Sequence, residues 1–147
     1  MKIHQIYTQS FLRNFTYLIE LDDHSAMVID PWEEGIVNSL LVEKNLRLTT
    51  IINTHEHWDH TQGNEALVAE HGCEVWAHAN GQGKIPGLTR VLSTGEVIDL
   101  EPGAQLQVLN TPGHTFAHLC FVVLDQGQPI AVFAGDTLFN AGVGNCT

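Results

Sequence analysis

The segment His55–His60, with the sequence HEHWDH, places three imidazoles and two carboxylic acids within one short stretch of the chain. His55 and His57 are two positions apart, so in extended chain both rings point to one side and can bind one metal ion. Asp59 and His60 follow directly, and adjacent side chains in a tight turn diverge. This divergence suits a second ion close to the first, and the spacing therefore predicts a metal centre.

Two histidines do not hold a metal tightly, so further ligands must come from elsewhere in the chain. The sequence offers His114 in TPGHT and Asp136 in AGDT. Gly113 and Gly135 precede them and allow the backbone to bend close to a ligand, where a Cβ atom would obstruct. Imidazoles and carboxylates without a thiolate suit zinc, manganese or iron about equally, so donor type does not select the metal.

The remaining histidines have simpler explanations as surface or core residues: His4, His24, His71 and His78. His118 lies four positions beyond His114, which favours a structural role or a supporting role beside a ligand. Asp59 and His60 could also cap the helix that follows them. Such a cap would not explain His55 and His57.

Composition indicates one folded domain, since 44% of the 147 residues are hydrophobic. The longest apolar run, LCFVVL, is too short to cross a bilayer, so no membrane partner is expected. The N-terminal sequence MKIHQIYTQSFLRNF lacks the apolar core of a signal peptide. We therefore expect a cytoplasmic protein.

Six basic residues stand against seventeen acidic ones, which gives a formal net charge of -11. This charge repels phosphate backbones, and no basic stretch compensates for it, so we expect no nucleic-acid partner. Cys73, Cys120 and Cys146 are far apart and have no C-x-x-C spacing. They indicate neither a disulfide framework nor a zinc ribbon, and we expect small, buried or partly buried thiols.

Strand patterns dominate the first half of the chain. Apolar and polar residues alternate in KIHQIYT and FTYLIEL, and AMVID is a short apolar run. LTTIINT (Leu48–Thr54) is rich in residues that favour β-strands and ends where the histidines begin. Between the last two, apolar residues at helical spacing predict a helix that ends near Lys44. Glu33 and Glu34 favour its positive N-terminal end.

A second helix is predicted over Asn64–Glu70, with Thr61 as its N-cap and Gly72 as its C-terminal stop. EVWAH is the next predicted strand, ANGQGKIPGLT is a predicted loop, and AQLQVLN, LCFVVLD and PIAVFAG are predicted strands. Alternating strands and helices indicate a layered α/β domain with reactive groups on loops at the strand ends. Those loops can converge on one edge of a sheet.

These motifs resemble the metallo-β-lactamase superfamily and, within it, glyoxalase II (the hydroxyacylglutathione hydrolases). THEHWDH, TPGHTFAHLCF, FAGDTLF and VIDP with Asp30 match the four superfamily motifs, while KIPGLT and RNFTYLI are similar to glyoxalase II. The resemblance implies the αββα sandwich of that superfamily, an α/β fold. It also implies a metal-dependent hydrolase that cleaves a small-molecule thioester, hydroxyacyl-glutathione, to a hydroxy acid and glutathione.

The resemblance also implies the role of each metal-site residue. His55, His57 and His114 correspond to ligands of one metal, Asp59 and His60 to ligands of a second, and Asp136 to a bridge between them. Two zinc ions are the implied cofactors, with iron or manganese as alternatives. Asp59 is the implied catalytic residue, because it lies beside the nucleophilic hydroxide and can orient it and handle its proton.

Two departures from the family pattern carry expectations of their own. The family's domain is longer, and its second half supplies a last histidine ligand, so we expect residues 1–147 to form a single domain with only the N-terminal portion of the fold. A weak second metal site and an uncovered sheet face follow, and that face needs self-association or a longer chain to cover it. Asn145 stands where the family has a basic residue that helps to bind glutathione.

Two other functions remain open from the sequence. A mononuclear iron sulfur dioxygenase is one alternative, because His55, His114 and Asp136 resemble the ligand set of such relatives. A truncated, non-catalytic metal-binding fragment is the other. Metal stoichiometry and thioester hydrolysis distinguish the three.

Overall fold

The first of two stacked sheets contains all the parallel strand pairs of the described chain. The computed structural model describes residues 1–146. This sheet has six strands in the spatial order β1 (Lys2–Tyr7), β2 (Phe15–Glu20), β3 (Ser25–Ile29), β4 (Arg47–Ile52), β5 (Glu74–His78) and β6 (Arg90–Leu92). β1, β2 and β3 pair antiparallel, whereas β3 to β6 run parallel. Parallel strands end at the same edge of a sheet, so the loops that follow β3 and β4 lie side by side.

The second sheet is antiparallel throughout. Its order is β10 (Gln128–Phe133), β9 (Leu119–Asp125), β8 (Ala104–Asn110) and β7 (Val97–Glu101), and a short hairpin of β11 (Leu138–Phe139) and β12 (Gly142–Val143) follows. The strands predicted from AQLQVLN, LCFVVLD and PIAVFAG are confirmed as β8, β9 and β10. The sequence did not predict β6 and β7, because β6 has three residues and β7 carries two acids.

Three α-helices, α1 (Glu34–Lys44), α2 (Trp58–Thr61) and α3 (Asn64–His71), and one short 3-10 helix (Ala79–Gly81) complete the described chain. The predicted helices are confirmed as α1 and α3, and Gly72 ends α3 with a left-handed φ of 63°. The prediction of Thr61 as N-cap is wrong. Thr61 is the last residue of α2, and Gly63 is the N-cap of α3, because the chain after His57 forms a separate turn of helix first.

Strand alternation divides the buried residues between two cores. Ile29 and Ile52 face the second sheet, where they pack with Phe121 and other residues of β8 and β9. Val28 and Ile51 face the opposite way, against Val37 and Leu41 of α1 and Leu67 of α3. Both faces of the first sheet are therefore covered, which holds its strand ends rigidly at the edge that carries the site.

The outer face of the second sheet is open to solvent within residues 1–146. Val97, Gln107, Val122 and Val132 form one row across its four strands. Val97 and Val132, at the two ends of this row, are 47% and 54% exposed. The architecture is helices, sheet and sheet, which is the αββα sandwich without a covering layer on the second sheet among the described residues. No helix in this part of the chain is both long and apolar enough to cross a membrane.

Candidate metal centre

Three loops converge at one edge of the two sheets and bring all six sequence-predicted metal-site residues together. The loops follow β4, β8 and β10. In each of two groups, one potential ligand atom per residue lies within 4.8 Å of the others; the groups are His55, His57, His114, Asp136 and Asp59, His60, Asp136. Asp136 belongs to both. The grouping is the one that the family resemblance implied.

His55 is fully buried, and its Nε2 has no hydrogen-bond partner among residues 1–146. The Thr54 hydroxyl donates to Asp30 Oδ2 at 2.6 Å, so it accepts from His55 Nδ1 at 3.0 Å, and this leaves a lone pair on Nε2. Nε2 is the only buried side-chain nitrogen or oxygen in residues 1–146 without a hydrogen-bond partner. Burial, followed by the charges of the neighbouring imidazoles, holds the pKa of His55 far below its usual range. A neutral, unpartnered imidazole is suited to metal binding.

The ring of His114 is oriented by a hydrogen bond to the C-terminal segment. Its Nδ1 donates to the backbone carbonyl of Asn145 at 2.8 Å, so Nε2 carries the lone pair. That Nε2 lies 3.1 Å from His57 Nδ1 and 3.2 Å from Asp136 Oδ2. The contribution of Asn145 is thus its main-chain oxygen, which fixes the tautomer of a proposed ligand.

The two loops that carry these histidines are tied together at Glu56. The Thr115 hydroxyl donates to Glu56 Oε2 at 2.8 Å. Glu56 lies between His55 and His57, and Thr115 follows His114. This hydrogen bond links the HEHWDH loop to the TPGHT loop, in addition to the contact between His57 and His114.

Asp136 spans the two groups with its two carboxylate oxygens. Oδ2 lies 3.2 Å from His114 Nε2 and 3.8 Å from His55 Nε2. Oδ1 lies 3.1 Å from His60 Nε2. One carboxylate with an oxygen directed at each group has the geometry of a bridging ligand.

The second group lies in a strongly negative environment. Burial would lower the pKa of His60, but the charge of Asp30 and hydrogen bonds with Asp136, Asp30 and Asp59 raise it to about 12. His60 Nδ1 donates to Asp30 Oδ2 at 2.9 Å, and its Nε2 lies 3.3 Å from Asp59 Oδ2. Three carboxylates around one ring favour a positive charge at this point.

Asn14 is a site residue that the sequence analysis missed. Its side-chain amide donates to Asp59 Oδ2 and lies 3.4 Å from His60 Nε2. Burial would raise the pKa of Asp59, yet the hydrogen bonds with His60 and Asn14 lower it to about 2. Asp59 is therefore ionised at neutral pH. The only sequence signal for Asn14 was its place in RNFTYLI.

His118 supports the centre and is not part of either ligand group. It is fully buried and stacks on His55 with a ring separation of 4.9 Å. Its Nε2 accepts the backbone N–H of Asp136 at 3.0 Å, so Nδ1 donates to the Thr111 or Thr137 hydroxyl, at 2.9 and 3.1 Å. Burial lowers the pKa of His118 to about 4, which keeps the ring neutral. The prediction of a structural or supporting role is confirmed.

Gly135 allows this close packing. Its φ is 49°, and a Cβ atom there would lie 2.6 Å from Thr54 Oγ1 and 2.7 Å from His118 Nε2. Both atoms belong to buried side chains, so neither can move away easily. The expectation that Gly135 lets the backbone bend close to the site is therefore confirmed.

The other predicted histidines and the cysteines lie outside the two groups. His4 bonds to Glu20, His71 bonds to Asn38, and His78 accepts from the backbone of Asn80. His24 forms a turn after β2. Cys73 and Cys120 are buried free thiols, as expected, but Cys146 is exposed, because it belongs to the last described segment at the surface.

These residues fit a divalent metal. The orphaned Nε2 of His55 points at a carboxylate oxygen too distant for a hydrogen bond. A buried nitrogen without a hydrogen-bond partner lowers the stability of the fold unless it binds a ligand. Imidazoles and carboxylates in overlapping groups are the donors that zinc, iron and manganese bind.

The chain belongs to the metallo-beta-lactamase superfamily, whose family model matches residues 10–147. Among curated relatives, the hydroxyacylglutathione hydrolase of Nitrosococcus oceani is 43% identical over 147 residues, and that of Polaromonas sp. is 40% identical over 146 residues. Each alignment covers 99% of this chain and 55% of the relative. The chain therefore spans about half the length of the curated relatives it matches.

Solved structures agree with the fold. ETHE1 from Myxococcus xanthus is 29% identical with a TM-score of 0.82, covering 98% of this chain and 61% of that one. The structure of TTHA1623 in a di-iron-bound form is 30% identical with a TM-score of 0.71, covering 94% and 74% of the two chains. Both overlap with nearly the whole of the described fold.

Proposed function

We propose that this protein is a metal-dependent hydrolase of the glyoxalase II type, which cleaves a hydroxyacyl-glutathione thioester to a hydroxy acid and glutathione. The observation that carries the proposal is the pair of ligand groups that share Asp136. Relatives named hydroxyacylglutathione hydrolase, at 36–43% identity to this chain, support the proposed thioester substrate.

His55, His57 and His114 would hold one metal ion, and Asp59 and His60 would hold a second. Asp136 would bridge them. Zinc is the proposed metal, with iron or manganese as alternatives, and a relative solved in a di-iron-bound form supports a site for two ions. Bound divalent ions supply hydroxide near neutral pH and polarise a carbonyl oxygen.

The protein's own residues orient the reaction. Asp59 is ionised and held by Asn14, so its carboxylate can accept a hydrogen bond from the attacking water and orient it. His118 fixes the backbone of Asp136, and Asn145 fixes the ring of His114. These contacts hold the reacting groups in place before substrate binds.

The direct test is hydrolysis of a hydroxyacyl-glutathione thioester by the metal-loaded protein. His57→Ala should lower kcat/KM at least 100-fold, since it removes a proposed metal ligand. His71→Ala is the matched control, because this histidine bonds to Asn38 away from the centre. Turnover that survives His57→Ala would contradict the assignment.

The mononuclear iron sulfur dioxygenase is a second candidate. It rests on His55, His114 and Asp136, which lie in one ligand group together with His57. One iron per chain, with oxygen consumption on a persulfide, would support it over the hydrolase. Metal binding without turnover of either substrate would instead indicate a non-catalytic metal-binding fragment.

We also propose self-association over the outer face of the second sheet. The row from Val97 to Val132 is apolar except for Gln107, and its ends are about half exposed. An apolar row of this kind favours contact with a second copy. Light scattering should show a dimer that Val132→Lys weakens, and a monomer at high protein concentration would contradict the proposal.

A further inference from the structure

A cavity of about 440 Å³ opens onto the second ligand group. Asn14, His60 and Asp136, which belong to the second ligand group or contact it, are among its lining residues. Its wall is mainly apolar and aromatic, with Leu12, Phe15, Tyr17, Leu138 and Phe139 among the lining residues. The cavity therefore has a reactive end and a wall that can hold the body of a substrate.

Arg13 is the only lysine or arginine that lines this cavity. Three of the six basic side chains form ion pairs within residues 1–146: Lys2 with Glu20, Lys84 with Glu56 and Arg90 with Glu96. Arg13 forms no ion pair with any of residues 1–146. On a chain of net charge -11, an unpaired guanidinium beside the candidate site is a local exception to the overall repulsion of anions.

The turn that carries Arg13 is anchored to the site. Thr8 bonds to the backbone carbonyl of Asn14 through both its N–H and its hydroxyl, and Arg13 N donates to Ser10 O at 3.0 Å. Arg13 itself has a left-handed φ of 57°. Since the next residue, Asn14, bonds to Asp59, the same turn fixes the backbone of Arg13 relative to the second ligand group.

We propose that Arg13 determines specificity by binding an anionic group, such as a carboxylate, on the thiol arm of the substrate that enters this cavity. The proposal rests on the thioester hydrolase function. A guanidinium binds a carboxylate through two parallel hydrogen bonds, and the apolar wall between Arg13 and Asp136 accommodates the arm itself. Arg13 would thus supply the cation that Asn145 cannot.

The test uses two thioesters of one hydroxy acid, made with 3-mercaptopropionate and with 3-mercaptopropan-1-ol. The two thiol arms differ only in their ends, since the first carries a carboxylate where the second carries a neutral hydroxymethyl group. In the metal-loaded wild type, kcat/KM for the anionic thioester should exceed that for the neutral one by about tenfold, mainly through KM. Arg13→Gln should abolish this ratio, while Arg13→Lys should keep most of it. Arg47→Gln, which removes a cation distant from the cavity, should leave the ratio unchanged.

Calorimetric binding of the two free thiols to the same metal-loaded proteins separates this proposal from the hydrolase function. If the wild type cleaves neither of these thioesters nor hydroxyacyl-glutathione, the proposed function is wrong, but the thiols still test Arg13. The wild type should prefer 3-mercaptopropionate, and Arg13→Gln should bind it about tenfold more weakly. No preference in the wild type, or an equal preference in Arg13→Gln, would overturn the proposal.

Discussion

Replacement of Gly135 by alanine tests whether the close packing of Gly135 against Thr54 and His118 stabilises the candidate metal centre. A left-handed φ of 49° costs a residue with a Cβ atom about 1–2 kcal/mol. The new Cβ would lie 2.6 Å from Thr54 Oγ1 and 2.7 Å from His118 Nε2, and overpacking of this kind costs about 1–3 kcal/mol. We therefore expect Gly135→Ala to lower the free energy of unfolding by about 2–5 kcal/mol.

Urea unfolding of the metal-free protein measures this loss, with Gly72→Ala as the matched control. Gly72 also has a left-handed φ, of 63°, but a Cβ there would meet no atom within 4 Å. Its replacement should cost only the backbone contribution, about 1 kcal/mol. If both variants lose the same stability, Gly135 has no packing role and the reasoning is refuted. Metal titration of Gly135→Ala should also show affinity reduced by about tenfold or more.

Three further outcomes follow from the contacts of the centre. Asp30→Asn should lower the free energy of unfolding by about 2–4 kcal/mol in urea, because Asp30 accepts three buried hydrogen bonds, one of them from His60; a loss below 1 kcal/mol would contradict this. Asn14→Ala should weaken the second metal equivalent about tenfold in calorimetry through its contact with Asp59, whereas Asn38→Ala should not. Metal at 100–1,000 times Kd should stabilise the folded protein by about 3–4 kcal/mol, so removal of the metal by a chelator should lower Tm reversibly. An unchanged Tm would argue against a structural contribution of the metal.

The six metal-site residues could be predicted because each lies directly after a strand or in the turn that follows one. Strand ends position side chains by backbone geometry alone, so spacing such as that of His55 and His57 carries information. The grouping of Asp59 and His60 apart from them came from the divergence of adjacent side chains and from the family resemblance. The structure gives the same two groups.

The supporting residues could not be predicted with the same certainty. Asn14 reaches Asp59 across 45 residues, and nothing in the chemistry of a lone asparagine indicates such a contact. Asn145 acts through a backbone carbonyl, which is independent of residue type. Thr61 was misplaced because an N-cap is judged from local sequence, whereas α2 forms as a separate turn where Gly63 packs against Pro31.

The central claim is that side chains from three separate loops bind the same divalent ion. Anomalous X-ray diffraction at the absorption edge of the bound metal, on crystals of the metal-loaded protein, tests it most directly. We expect a peak about 2.0–2.2 Å from nitrogens of His55, His57 and His114 and from an oxygen of Asp136. A peak bound elsewhere, or none among these four residues in crystals that contain stoichiometric metal, would contradict the account.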